Sequence, residues 1–229
     1  MKKMKFMALL VSAALMLGSC GMSNTAKGGM IGGGSGAALG SLIGNKVSGK
    51  NDKGKGTAIG AAIGTVVGAA AGILIGNKMD KAKAAAAAVE NAQVEGVTDA
   101  NGLQAVKVTF DSGILFDLNS STLKSAARNS LTEFSTVLKN NNNMDVAIFG
   151  HTDKTGTLEV NQRISLQRAQ SVQNFLKGQG VAADQMVTVE GKDYQEYDDA
   201  KSAAENRRVE IYLYASKEMI EAANNGTLQ

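Results

Sequence analysis

Residues 144–178 read MDVAIFGHTDKTGTLEVNQRISLQRAQSVQNFLKG, and two periodicities meet inside them. Met144 to Phe149 is a short, mainly apolar run bounded by a glycine, which predicts a buried strand ending at Gly150-His151-Thr152-Asp153. From Leu158 to Lys177 the apolar residues recur at helical spacing, with Ala169, Val172, Phe175 and Leu176 on one side. Gly178 and Gly180 supply the stop signal. A strand running through a short loop into a long amphipathic helix is the repeating unit of layered α/β architectures.

The pattern continues on both sides. Downstream, Val187 to Glu190 and Arg207 to Tyr214 read as strands, with a short helical turn at Ser202 to Asn206 between them. Upstream, the stripe Leu123, Ala127, Leu131, Phe134 and Leu138 predicts a helix capped by Ser120 or Ser121 and ended by Asn140 to Asn143. Before it, Val94 to Thr98 and Leu103 to Phe110 flank Asp99-Ala100-Asn101-Gly102, an Asn-Gly turn signal for a hairpin. The expected fold is an α/β (α+β) sandwich with helices on one face of a mixed sheet. It spans 93–215 and leaves 216–229 as a tail.

The first hundred residues have a different composition. All aromatic residues except Phe6 lie at or after Phe110, so a core of large side chains belongs to the C-terminal half. Lys2, Lys3 and Lys5 precede the apolar run Phe6 to Leu17 and then Leu17-Gly18-Ser19-Cys20, which reads as an export signal over 1–19. The run is shorter than the about 20 residues that a membrane-spanning helix needs. Glycines stand at every fourth position, at 28, 32, 36, 40 and 44 and again at 56, 60, 64, 68, 72 and 76. Glycine costs about 1 kcal/mol against alanine in a helix in water, so this period does not suit a soluble surface helix. A four-residue period places the glycines on one face, where two helix backbones can approach closely. The second run, Gly56 to Gly76, has 21 residues without a charge. Residues 28–78 are therefore read as a helical glycine-zipper hairpin in or against a membrane, a flexible linker being the plainer alternative. Residues 20–27 form a spacer before it. Residues 79–92, rich in alanine and charge, read as a stiff helical linker after it.

Several functions are excluded by composition. Removing 1–19 removes three lysines and no acids, leaving 21 basic and 21 acidic residues and no electrostatic case for nucleic-acid binding. Gly49 to Lys55 and the Gly32, Gly34, Ala37 set imitate phosphate-binding loops but follow no predicted strand. One cysteine forms no internal disulfide. His151, the single histidine, has no cysteine or second histidine to complete a metal site and no serine-centred elbow for a triad, so neither a metal nor a cofactor is expected.

Two resemblances carry the functional reading. Leu17-Gly18-Ser19-Cys20 resembles the bacterial lipobox, which implies lipidation of Cys20; Gly21 after it leans toward the outer membrane. Gly150-His151-Thr152-Asp153, Gly156, Asn161, Ser165, Arg168-Ala169 and Asn206-Arg207-Arg208-Val209-Glu210 resemble the OmpA-like peptidoglycan-binding domain, a family that includes the peptidoglycan-associated lipoproteins. The resemblance implies a site for the diaminopimelate of the stem peptide, with Asp153 taking its ammonium and Arg168, 15 residues on, taking a carboxylate through two parallel hydrogen bonds. Backbone amides near Gly156 and Thr157 would add donors. By the family pattern Phe116 and Asp117 form the other wall, and Thr157, Asn161 and Ile164 complete the pocket. The chain departs from the pattern at Ile164, where leucine is usual, and at Lys192, where a second glycine is usual.

The expected protein is a non-enzymatic lipoprotein of the cell outer membrane with its C-terminal domain in the periplasm. Its expected partners are peptidoglycan, membrane lipid through Cys20 and the zipper, and further copies of itself through the zipper. A membrane-assembly or pore-forming protein merely localised by its C-terminal domain is the competing reading. A wall hydrolase would need paired carboxylates, a metal or an activated nucleophile, and no such set stands out. A mutual salt bridge between Asp153 and Arg168 is the purely structural alternative for that pair. For Arg207 and Arg208 the expectation is that one packs, or pairs with an acid, at a strand end.

Overall fold

The computed structural model describes residues 69–98, 104–117 and 119–228. The expected signal segment, the lipidation site, the first glycine run, most of the second and the Asn-Gly turn lie outside the described residues. The elements in chain order are α1 (Ala69–Ala87), β1 (Gln93–Thr98), β2 (Gln104–Asp111), α2 (Ser112–Leu115), α3 (Ser125–Asn140), β3 (Met144–Gly150), α4 (Leu158–Gly178), β4 (Met186–Gly191), α5 (Ala203–Asn206), β5 (Arg208–Ala215) and α6 (Lys217–Asn224).

The strands form one mixed sheet in the order β1-β2-β5-β3-β4. Only the β3/β4 pair is parallel, and α4 is the crossover that a parallel pair requires. The other neighbours are antiparallel. β5 sits at the centre, and all eight of its residues are buried. Period two sorts its side chains. Val209, Ile211 and Leu213 lie in register with Phe110, Val108 and Val106 of β2, and Ile211 also with Ile148 of β3. These residues join the core with Leu131, Phe134 and Leu138 of α3 and Ala169, Val172 and Leu176 of α4. Phe110 and Phe134 meet edge to face, centroids 5.7 Å apart. The opposite face carries Arg208, Glu210 and Tyr212, beside Lys107 and Phe149.

Helix α4 approaches the sheet very closely. A Cβ at Gly150 would stand 2.1 Å from the Ser165 carbonyl oxygen, and one at Gly191 2.4 Å from Ser165 Oγ and 2.5 Å from the Leu166 nitrogen. The two glycines are register partners across β3 and β4, so together they form the notch in which α4 rests. The far end of α4 closes on Gly180, at φ +85°. There Val181 N–H donates to the Leu176 carbonyl and Gly180 N–H to the Lys177 carbonyl, the Schellman arrangement.

Three expectations are corrected. Residues 79–92 are not a linker outside the domain: α1 packs on β1, β2, α3 and α6, and Met79, Ala82, Ala86 and Val89 are buried. Alanine hid this, because a small side chain contributes little to an apolar pattern yet lets a helix pack closely. The residues after 215 are not a loose tail, since α6 is capped by Ser216 and buries Met219, Ile220 and Ala223. Helix α3 begins at Ser125 rather than behind Ser120 or Ser121. Leu123 is held in an isolated antiparallel bridge to Phe116, which keeps the chain extended there.

Removing the buried Met79 side chain should show that α1 belongs to the fold: Met79→Ala is expected to lower unfolding stability by about 2–4 kcal/mol in urea titrations. On the outer face Asp145 is pushed up to about 6 by burial and by the nearby Glu218. A carboxyl whose folded value is raised binds its proton more tightly in the native state, so stability falls as pH rises from about 4 to about 6. Asp145→Asn should flatten that decline and add about 1 kcal/mol at neutral pH, after allowing for solvent screening, as measured by thermal melts across pH.

Candidate functional site

The loop after β3 remains tied to the sheet for two residues. His151 N–H donates to the Arg208 carbonyl (2.9 Å) and Thr152 N–H to the Asp193 carbonyl (2.8 Å). Asp153 follows, and both of its oxygens are engaged. Oδ1 accepts from the Thr155 amide at 2.9 Å, and Oδ2 from Arg207 Nη1 at 2.5 Å. Burial works to raise its carboxyl, but the Thr155 amide and the Arg207 guanidinium outweigh it and hold the group below the usual carboxylate range.

The turn into α4 follows from three residues. Gly156 adopts φ +88°, which a side chain would strain. Thr157 caps the helix, its Oγ1 accepting from the Val160 amide at 3.3 Å. The Asn161 side chain reaches back and donates to the Thr155 carbonyl at 3.0 Å. Asn161, Ile164 and Arg168 then recur at helical spacing on one buried face.

Arg168 is 4% exposed. Its Nε donates to the Ser120 carbonyl at 3.0 Å, and its guanidinium lies 5.3 Å from the centroid of the Phe116 ring. Among the described residues its two terminal nitrogens have no hydrogen-bond acceptor. Burial lowers its pKa, the repulsion of Arg207 adds to this, and Asp153 offsets part of it. A carboxylate therefore lies in the field of two guanidiniums, and the outer fork of Arg168 meets no acceptor among the described residues.

Most of the expected residues meet here. Phe116 is buried beneath Arg168, and Asp153, Gly156, Thr157 and Asn161 form one continuous turn. Ile164 is buried beside them. Asp117 is exposed and lies 3.7 Å from Lys124. The mutual salt bridge between Asp153 and Arg168 is not formed; Asp153 pairs with Arg207 instead. Of Arg207 and Arg208, expected to include one that packs or pairs with an acid, both pair with acids, and what sequence reasoning did not foresee is that the acid of Arg207 is Asp153. The available signal was period two in Asn206-Arg207-Arg208-Val209-Glu210, where Arg208 shares a face with Glu210 and Arg207 does not.

Arg208 belongs to a buried ionic cluster. Glu210 Oε1 accepts from Arg208 Nε (2.7 Å) and Lys107 Nζ (3.2 Å). Its Oε2 accepts from the Tyr212 hydroxyl (2.7 Å) and stands 3.6 Å from His151 Nε2. Burial opposes the charge, but His151, Arg208 and Lys107 hold the Glu210 carboxyl far below the ordinary range. Burial depresses the His151 imidazole, and the Glu210 carboxylate opposes that shift. Ligand atoms of His151, Glu196 and Glu210 lie within 4.8 Å of one another, a grouping the sequence reading did not anticipate. Lys107 and Arg208 already neutralise Glu210, so a divalent ion there would meet two cations; the chemistry fits a structural cluster better.

The loop between β4 and β5 clasps the site. Lys154, next to Asp153, pairs with Asp199 at 2.7 Å and lies over the Tyr197 ring at 4.2 Å. The buried Asn206 side chain donates to the carbonyls of Asp198, Lys201 and Ser202 and accepts from the Asp198 amide. That fastening sets the position of Arg207. Lys192, the departure from the family pattern, is buried with its ammonium 2.8 Å from Glu190 and 5.1 Å from the Phe149 ring centroid.

Comparison with known proteins covers both halves of the chain. The OmpA family model matches residues 115–210, and the YMGG-like Gly-zipper model matches residues 1–80. The chain is 34% identical over 221 residues to the probable lipoprotein YiaD of Escherichia coli (strain K12), covering 93% of this chain and 98% of that protein. It is 38% identical over 99 residues to the peptidoglycan-associated lipoprotein of Pseudomonas putida, covering 42% of this chain and 59% of that one. Among solved structures, the cell wall anchor of the T6SS from Pseudomonas aeruginosa aligns at 25% identity and TM-score 0.49, covering 60% of this chain and 97% of that one.

If Arg207 is what keeps Asp153 charged, Arg207→Gln should raise the Asp153 carboxyl titration toward its ordinary value, as followed by carboxyl carbon NMR. The pairing stabilises the fold above the ordinary carboxyl range and is lost as pH falls through the depressed value. The variant should therefore lose stability at neutral pH and draw level with the parent in acid.

Proposed function

The chain belongs to the OmpA family, and on that footing we propose that it is a non-enzymatic lipoprotein of the outer membrane that binds peptidoglycan and tethers the membrane to the wall. The observation that carries this reading is the buried Arg168, whose terminal nitrogens meet no acceptor among the described residues, set beside the Asp153 carboxylate. A planar fork with two free donors fits a carboxylate, and a carboxylate next to it fits an ammonium. The free end of diaminopimelate in a stem peptide carries both groups on one carbon.

In this reading Asp153 receives the ammonium while Arg207 keeps the carboxylate charged and aimed. Arg168 takes the ligand carboxylate against the Phe116 ring. The amides of the Gly156–Thr157 turn stand at the start of α4, where backbone donors and the helix dipole favour an anion. Asn161 holds that turn in shape, Ile164 supplies an apolar wall, and Asp117 lies at the rim. The other end of the protein is held by acyl chains on Cys20; stable anchoring takes more than one chain. The family relationship to proteins named lipoprotein and peptidoglycan-associated lipoprotein supports the same assignment.

The test is a pull-down on purified sacculi with the soluble chain. Asp153→Asn and Arg168→Ala should each weaken retention about 30-fold or more, the effect of about 2 kcal/mol lost at a buried charge contact. Arg168→Lys should recover little, because an ammonium cannot copy the fork. Unchanged retention in both neutral variants, with circular dichroism showing them folded, would sink the proposal.

A further inference from the structure

The second glycine run is the motif that the wall-binding reading leaves unused, and the structure bears on its fate. The run extends from Gly56 to Gly76, and Lys53 and Lys55 close it on one side and Lys78 on the other. Helix α1 takes its last third. Ala71 and Ile75 are 2% and 7% exposed and belong to the same core cluster as Met79, Ala82 and Ala86 further along the helix. Gly72 and Gly76, two of the zipper glycines, are buried as well. The helix packs against β1, β2 and α6, whose Met219, Ile220 and Ala223 are buried.

A segment cannot be solvated by lipid and by a protein core at once. Once the docked residues from Ala71 onward are set aside, residues 56–70 remain, 15 residues without a charge. As a helix they would reach about 22 Å at about 1.5 Å per residue, whereas the hydrocarbon core is about 30 Å thick and needs about 20 residues. Lys53 and Lys55 bar extension in the other direction. Among the described residues no helix is long and apolar enough to cross a membrane.

We infer that the second glycine run does not cross the bilayer while the C-terminal domain is folded: its end serves as a docking helix of that domain. One consequence follows. Gly72 and Gly76 are withdrawn from any contact between zipper segments, leaving Gly56, Gly60, Gly64 and Gly68 of that run. A pore built on the full length of the run is incompatible with this docking.

The experiment places one thiol on each side of the run in the full lipidated protein, expressed in Gram-negative cells. Ser48→Cys lies between the two glycine runs, and Thr136→Cys lies on the exposed side of α3. Each is treated with a membrane-impermeant maleimide before and after the outer membrane is permeabilised. The expected result is that both thiols behave alike, shielded in intact cells and labelled once the membrane is opened. Labelling of one but not the other in intact cells would put them on opposite sides and overturn the inference. Labelling of both in intact cells would uphold it and instead refute the periplasmic, wall-binding reading, so the two failures are distinguishable.

Discussion

The close approach of α4 to the ends of β3 and β4 is the contact on which the site depends. Gly150 and Gly191 sit opposite each other and offer no side chain, so the helix backbone at Ser165 and Leu166 rests directly on the sheet. About one turn in either direction along this helix from Ser165, Asn161 reaches the loop that carries Asp153 and Arg168 the segment that carries Phe116 and Ser120. A methyl group at either glycine would lift the helix and separate the groups that meet around Asp153.

The site is charged on both sides of a single residue boundary. Arg207 turns toward Asp153, and Arg208, its neighbour in sequence, turns the other way into the cluster around Glu210. The cluster is buried, with Lys107 and Arg208 set against Glu210, and Tyr212 supplying a further donor. Buried ion pairs give modest net stability but are costly to break from one side. Here the pairing fixes the start of β5, and the hydrogen bond from His151 N–H to the Arg208 carbonyl carries that position to the end of β3. Asp153 and Arg207 are thereby presented from two adjacent strand ends whose separation is set by the sheet.

Helix α1 joins the two halves of the chain. Read as sequence, Gly72 and Gly76 complete a lipid-facing period; in the fold they lie within a helix whose Met79 and Ala82 are wholly buried. The same small residues that permit close packing between helices in lipid permit it against a sheet in water.

Local chemistry made much of this protein legible from sequence alone. The short apolar strand running into a helix of period 3.6 over 144–178, the glycine stop at Gly180, the turn at Asp153 to Thr157 and the spacing of Asp153 and Arg168 all depend on neighbours within a few turns. The tertiary structure decided what lies across long loops. It paired Asp153 with Arg207, 54 residues away, instead of with Arg168, and gave Arg168 the Ser120 carbonyl 48 residues behind it. It also drew α1 and α6 into the core. The cause is physical: period and turn residues encode local conformation, whereas the partner of a buried charge, or the surface that an alanine face covers, is set only when distant segments close around the same sheet.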